Sequence, residues 1–189
     1  MTKAKTEKLG IEVDGNAQQV GGVWEVDNLS KGYHGLIETW WIRFGLVGNG
    51  FIIGESGESA KAVKEKLKRE RKEIKDVWSV DLADADYNWD ITYPLPLEGE
   101  LVDWIICQAV IEHVIDPTGA IGNLVDVLIP GGRLYLHSVS VNFPEHRYPT
   151  DCFRFFRDAL IGWAERFNLE IDDMIWTPKH WFVLYRKKI

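Results

Sequence analysis

The chain has 189 residues, is 46% hydrophobic and carries nine tryptophans, which favours one domain with a full core and excludes a disordered segment. Its formal net charge of -7 argues against a long duplex nucleic acid as partner, because such partners need a net basic surface. No run approaches the ~18 consecutive apolar residues of a membrane span, and the basic start MTKAKTEKLG has no apolar region behind it to act as a signal peptide. The two cysteines, Cys107 and Cys152, make no disulfide framework and no metal-ligand spacing, so the expectation is a cytoplasmic protein without a metal site.

From the amino terminus, Met1 to about Ser30 reads as an irregular arm. Gly10, Gly15, Gly21 and Gly22 punctuate it, and GVWEVDN is its one short strand candidate. Lys31–Phe44 contains an aromatic helix from about Leu36, with Ile37, Trp40, Trp41 and Phe44 on one face. That face either covers a sheet or forms an aromatic substrate platform. Gly50–Gly54, GFIIG, is short, apolar and bounded by glycine, the pattern of a buried strand. GESGES then turns the chain into a helix from about Ser59 to Ile74, with a thin stripe of Val63, Leu67 and Ile74. Lys61, Lys64, Lys66, Lys68, Arg69, Arg71, Lys72 and Lys75 make either a solvated face or a nucleic-acid patch, and the solvated face is the simpler reading. Lys75–Asp81 is a second strand ending in an acid, and Tyr87–Ile91 a third, weaker one. Tyr93–Glu100 holds two prolines and a glycine and is a loop.

Leu101–Ser138 is the most regular stretch. Leu101–Cys107 is a buried strand. Ala120–Leu128 sets Ile121, Leu124, Val125 and Leu128 on one helical face, with Asp116 or Thr118 as cap and Pro117 just inside the start. Gly131 and Gly132 stand where a left-handed cap is expected, and Leu134, Leu136 and Val139 continue as strand. A strand, helix, strand unit of this length closes as a right-handed parallel crossover. The loop VSVNFPEHRYPTD follows, then a helix over Cys152–Phe167 with Phe156, Leu160, Trp163 and Phe167 on one face. Leu169–Trp176 and His180–Arg186 are joined only by Thr177-Pro178-Lys179 and must pair antiparallel. The predicted fold class is α/β: a Rossmann-like three-layer sandwich, mostly parallel with an antiparallel last strand. One domain, 1–189, is expected, with an arm and lid over 1–48 and the core over 49–189.

Ligands in such sheets bind outside the carboxyl ends of the strands. The first strand ends at Glu55-Ser56-Gly57-Glu58-Ser59, where Gly57 permits a sharp turn. Asp81, ending the second, is either a ribose-binding carboxylate or a helix cap or loop acid. Asp90, closing the third, is placed to accept a hydrogen bond from an adenine amine.

The run from about Gly50 to Glu170 resembles a class I S-adenosylmethionine-dependent methyltransferase of the "methyltransferase type 11" group. The resemblance rests on WDITYPLPLEGELVDWIICQAVIEHVIDP, LIPGGRLYLHSV and FPEHRYPTDCFRFF, in that order and spacing. It implies S-adenosylmethionine as cofactor. Glu55, Gly57 and Ser59 then match the glycine-rich first motif, Asp81 and Leu82 the ribose site, Asp90 and Ile91 the adenine-contacting pair, and Cys107, Gln108 and Ala109 the strand end facing the methyl group. The family pattern is acid-x-Gly-x-Gly-x-Gly, whereas this chain reads Glu55-x-Gly57-x-Ser59-x-Lys61.

The implied reaction is methyl transfer to a small polar acceptor, sugar- or nucleotide-linked. His113 and His146 are candidate general bases, since histidine is the usual one. His113 reads equally as a packed elbow histidine. His34, His146, Arg147, Tyr148 and Arg154 are the candidate acceptor contacts, with an ion-pair network pinning the loop as the alternative. Two other readings stand beside the enzyme: a weak or inactive scaffold of the same fold, suggested by Ser59 and Lys61, and a methyltransferase for a macromolecule docked on the basic helix, which the net charge opposes. The sequence leaves the oligomeric state open.

Overall fold

The computed structural model describes residues 3–6, 11–27, 45–71, 73–95 and 101–189. The predicted aromatic helix from Leu36, His34 and most of the Tyr93–Glu100 loop lie outside them. Strands β1 (Lys3–Thr6) and β2 (Ile11–Asp14) form an antiparallel hairpin. Strands β3 (Ala17–Val20) and β4 (Val23–Val26) form a second one. Then follow β5 (Gly48–Ile53), α1 (Gly57–Glu70), β6 (Ile74–Asp81), β7 (Tyr87–Asn88), β8 (Val102–Gln108), α2 (Pro117–Asp126), β9 (Leu128–Val139), α3 (Arg157–Arg166), β10 (Leu169–Trp176) and β11 (His180–Lys187). Among the described residues the large sheet has nine strands in the order β3-β4-β10-β11-β9-β8-β5-β6-β7. Pairing is parallel from β7 through β9, and β11 runs antiparallel to both β9 and β10. No described helix is long and apolar enough to cross a membrane.

The centre of the sheet is buried on both faces, so its central strands alternate between two cores. On β8, Ile105 and Cys107 point into one and Trp104 and Ile106 into the other. The first core takes Ile121 and Leu124 of α2 with Leu160 and Trp163 of α3, and the second takes Ala60 and Leu67 of α1. Three layers result, as the α/β pattern predicts. At ~25 cal/mol per Å² of apolar area, each such buried Leu or Ile stabilises the fold by about 1.5–3 kcal/mol.

Several expectations are corrected. The arm before Ser30 is not irregular, because β3 and β4 extend the sheet, with β4 parallel to β10. Gly21 (φ +54°) and Gly22 (φ +83°) form a two-residue turn with both φ positive, the geometry that matches strand twist. The glycines read as breaks are therefore a hairpin turn, and Val23 and Val26 are its buried positions. The basic helix ends at Glu70, and Ile74 opens β6 rather than extending the helical stripe. Leu128 likewise opens β9. Gly131 (φ +81°) does not cap α2, whose last residue is Asp126. It lies in a bulge of β9, where Val102 pairs with Leu128 and Trp104 already with Arg133. The helix expected from Cys152 begins at Arg157. The backbone N–H groups of Cys152 and Phe153 donate to Glu112 O, and Phe155 bridges to Ser140, so this stretch is held extended. Phe156 is consequently exposed instead of packed. The Asp116 cap is present, its carboxylate accepting from Gly119 N at 2.9 Å.

Candidate active site

A cleft of about 430 Å³ opens at the carboxyl ends of β5, β6 and β8. That volume falls within the roughly 300–1,000 Å³ of small-molecule and cofactor sites. β5 and β8 are neighbours, but α1 after β5 and α2 after β8 cover opposite faces, so the cleft sits at the topological switch point. β5 supplies Ile53 and Gly54, and β6 supplies Val80, Asp81 and Leu82. The segment after β7 supplies Trp89–Thr92, the elbow after β8 Ala109, Val110 and His113–Ile115, and the long loop Tyr148–Thr150.

The floor is apolar: Ile53, Val80, Trp89 and Ile91 are buried. Two carboxylates stand on it, each tied locally through one oxygen. Asp81 Oδ1 accepts from its neighbour Leu82 N at 2.6 Å. Asp90 Oδ1 accepts from Thr92 N at 2.9 Å and Thr92 Oγ1 at 2.7 Å. Such ties fix the rotamer and leave the second oxygen for a ligand hydroxyl or amine. Gly54 takes φ +83°, and a β-carbon there would stand 2.3 Å from Val110 Cγ2, so glycine is required where β5 meets the elbow.

The elbow and the long loop are joined by polar bonds. The His113 ring Nδ1 bonds Thr150 O, and Thr150 Oγ1 donates to His113 O at 2.7 Å. Because Thr150 O can only accept, Nδ1 carries the proton, which in the neutral ring leaves the lone pair on Nε2. Next to it, Glu112 is fully buried, with Ser138 Oγ donating to Oε2 at 2.7 Å. Burial holds the Glu112 carboxyl above its ordinary range, against the opposing pull of the Ser138 hydroxyl and the neighbouring histidines. His146 Nε2 lies 3.9 Å from Glu112 Oε1, and its Nδ1 lies 3.7 Å from Asp151 Oδ2. Asp151 is held by the Arg154 fork at 2.5 and 2.7 Å and by His146 N at 2.6 Å. That guanidinium, first among the causes, keeps the Asp151 carboxyl well below the usual carboxylate range.

The structure sorts the predicted residues. Asp81, Leu82, Asp90, Ile91, Ala109, His113 and Tyr148 line the cleft. Glu55, Gly57 and Ser59 do not. Ser59 Oγ donates to Glu55 on the exposed start of α1, and Gly57 lines a separate groove on the outer side of α1. Cys107 is fully buried in the core, where desolvation pushes its thiol up, so it presents no nucleophile, and Gln108 does not line the cleft either. His146, Arg147 and Arg154 lie behind it. Arg147 pairs with Glu145 at 2.8 Å on the surface, and Arg154 pins the loop. Sequence reasoning missed Gly54 and Val110. The signal for Gly54 was its place directly after the apolar run of β5, one residue before the acid taken as the motif's start. Lys61 lies in the outer groove, with its side chain mostly exposed, so the departure from the glycine pattern leaves the cleft clear. In that groove Lys64 pairs with Asp86, and Asp84 also faces the lysines, which tempers its positive charge.

The comparisons with known proteins bear on the fold. Residues 55–136 match the family described as "Methyltransferase domain". Among solved structures, the N-methyltransferase NodS from Bradyrhizobium japonicum WM9, in complex with S-adenosyl-L-homocysteine, is 19% identical with a TM-score of 0.59, covering 82% of this chain and 85% of that one. The 1,6-didemethyltoxoflavin-N1-methyltransferase from Burkholderia thailandensis is 13% identical with a TM-score of 0.62, covering 80% and 76%. The [4+2]-cyclase SpnF is 14% identical with a TM-score of 0.59, covering 76% of each chain, so likeness of fold does not by itself fix the reaction. No curated protein matches by sequence. The family match spans less than half of the 189 residues, and the solved structures show that the chain shares the fold of S-adenosylmethionine-dependent methyltransferases.

Proposed function

We propose that the chain is an active methyltransferase that binds S-adenosylmethionine in the cleft and methylates a small polar acceptor, sugar- or nucleotide-linked. The observation that supports this most is the pairing of an apolar floor with two pre-oriented carboxylates, Asp81 and Asp90, on successive strand ends. That donor set suits an adenosine. Asp81 accepts from ribose hydroxyls, Asp90 from the adenine amine, and Ile91 and Leu82 pack on the ring faces. Ile53, Gly54 and Ala109 offer backbone and small side chains to the remainder of the cofactor. When bound, the cofactor supplies an electrophilic methyl group, and the protein contributes placement and exclusion of water. Placement alone accounts for ~7–11 kcal/mol of barrier lowering in favourable cases. His113, on the cleft wall with Nδ1 committed to Thr150 O, presents Nε2 as the group that takes a proton from an acceptor hydroxyl. The unobstructed cleft, with Ser59 and Lys61 facing away from it, supports the enzyme over an inactive scaffold. The cysteine usage supports a cytoplasmic setting.

Calorimetric titration with S-adenosylhomocysteine tests the reading. Saturable binding is expected, weakened about tenfold by Asp81→Ala, or about 1.4 kcal/mol. Absence of binding at millimolar ligand would overturn it.

A further inference from the structure

Behind the His113 wall lie Glu112 and His146, two groups with no part in the transfer reaction. Glu112, His113 and His146 each bring one potential ligand atom, and these atoms lie within 4.8 Å of one another. Two of these residues hold polar atoms without a partner. Glu112 Oε1 belongs to a side chain with no solvent exposure and accepts no hydrogen bond among the described residues. His146 Nδ1 is likewise buried and without a bond. A buried polar oxygen without a partner is destabilising, so such an atom calls for an explanation.

The surroundings orient the set toward a cation. His113 turns Nδ1 to the Thr150 carbonyl and leaves Nε2 with its lone pair. His146 turns Nδ1 toward Asp151 Oδ2 at 3.7 Å and Nε2 toward Glu112 Oε1 at 3.9 Å. Metal-binding histidines characteristically direct their second ring nitrogen to a carbonyl or carboxylate in this way. Asp151 is itself fixed by Arg154, and Glu112 by Ser138. All three residues stand on short, tied segments: the elbow turn Ile111–His113 and the pinned loop. Sequence spacing gives little sign of this, because two ligands are adjacent and the third follows 33 positions later (146 minus 113).

We propose that Glu112, His113 and His146 form a divalent transition-metal site at the wall of the cleft. Two imidazoles and one carboxylate suit Zn²⁺, Fe²⁺, Co²⁺ or Mn²⁺ over Ca²⁺ or Mg²⁺, which favour all-oxygen shells. Three protein ligands leave at least one position for an outside ligand. His113 borders the cleft, so that position takes an oxygen donor of the bound acceptor, a hydroxyl or carboxylate. This acceptor class rests on the methyltransferase reading, whereas the metal site does not; with the metal bound, His113 Nε2 is a ligand and no longer the proton acceptor.

The test uses the full chain, stripped with a chelator and titrated with Zn²⁺ against a chromophoric competitor, with Co²⁺ as a spectroscopic substitute. The expected result is one Zn²⁺ per chain and visible Co²⁺ bands. Glu112→Gln and His146→Ala should each weaken Zn²⁺ at least tenfold. Glu112→Gln keeps the side-chain shape and an acceptor for Ser138, so it stays informative if His146→Ala fails to fold. No stoichiometric binding, or binding unchanged in the folded variants, overturns the site. Parallel titration with S-adenosylhomocysteine separates the two proposals. Zn²⁺ binding without it removes the methyltransferase reading and keeps the metal, and the reverse removes the metal alone.

Discussion

Replacing Arg154 by alanine is the sharpest probe of what holds the cleft's outer wall. The guanidinium donates to both oxygens of Asp151, to Phe143 O at 3.1 Å, to Pro144 O at 2.8 Å and to Phe153 O at 2.8 Å. Asp151 is only 3% exposed at its side chain and Arg154 20%. Truncation leaves the Asp151 carboxylate with the His146 amide as its remaining strong donor, while the three carbonyls, all on the outer loop, can turn to water. Losing one partner of a fully buried pair costs roughly 3–5 kcal/mol. This pair lies in a surface loop, where screening reduces the effect. The expected destabilisation is therefore about 2–3 kcal/mol, which for a chain of this size lowers Tm by about 4–12 °C. Arg154→Lys should recover less than half of it, because a single ammonium cannot serve two carboxylate oxygens and three carbonyls. Asp151 is ionised more readily in the fold than in the unfolded chain. Its share of the stability is thus fully present above about pH 4 and is lost as pH falls further. Urea denaturation of the single variants and of Arg154→Ala/Asp151→Ala measures both the loss and the coupling. A loss under about 1 kcal/mol with coupling near zero would refute the reasoning and make the pair an ordinary surface ion pair.

Two other outcomes follow from the geometry. Gly54→Ala puts a β-carbon 2.3 Å from Val110 at φ +83°, so left-handed strain of ~1–2 kcal/mol adds to overpacking of ~1–3 kcal/mol. Denaturation should show about 2–4 kcal/mol lost and calorimetry weaker S-adenosylhomocysteine binding, and an unchanged Tm would count against the described turn. His180 is held neutral down to about pH 4, chiefly by burial and then by Lys179, with His137 Nε2 at 3.1 Å from its Nδ1. The unfolded chain binds the proton first, near pH 6.5, so stability from this group is complete above that pH and declines as pH falls to about 4. The full shift would be worth about 3 kcal/mol, and partial exposure reduces it to about 1–2. His180→Gln should flatten the fall in Tm between pH 6.5 and 4, and an equal slope in both proteins would exclude His180 as its source.

Much of the fold was legible because it rests on local signals. The run β5-α1-β6-β7-β8-α2-β9-α3-β10-β11 follows the predicted order, since buried strands flanked by glycine and helices with one apolar face announce themselves without tertiary context. What failed was decided by distant partners. Cys152–Phe155 looks helical in isolation, yet Glu112 O and Val139 O capture its amides. The β3–β4 hairpin was hidden because four-residue strands carry too few alternations to show a period, although Gly21-Gly22 was a readable turn. The apolar Ile129 and Pro130 ahead of Gly131 masked a bulge whose cause is the parallel register with β8.

The site was half legible for a related reason. Acids closing strands, Asp81 and Asp90, can be placed by counting along the chain, because the carboxyl end of a parallel strand is where a ligand sits. Glu55, Gly57 and Ser59 are not among the residues that line this cleft. Gly54 lines the cleft, whereas Gly57 lines the groove beside α1. The Glu112–His146 contact crosses 34 positions (146 minus 112) and depends on the loop being folded back by Thr150 and Arg154. No periodicity encodes such a meeting. It arises because the elbow's free carbonyls, Glu112 O and His113 O, need donors, and the loop supplies them through Cys152, Phe153 and Thr150. The backbone bonds that satisfy the elbow are thus the same ones that deliver His146 to Glu112. A change that loosens the loop should therefore alter the elbow's chemistry even when it touches no cleft residue.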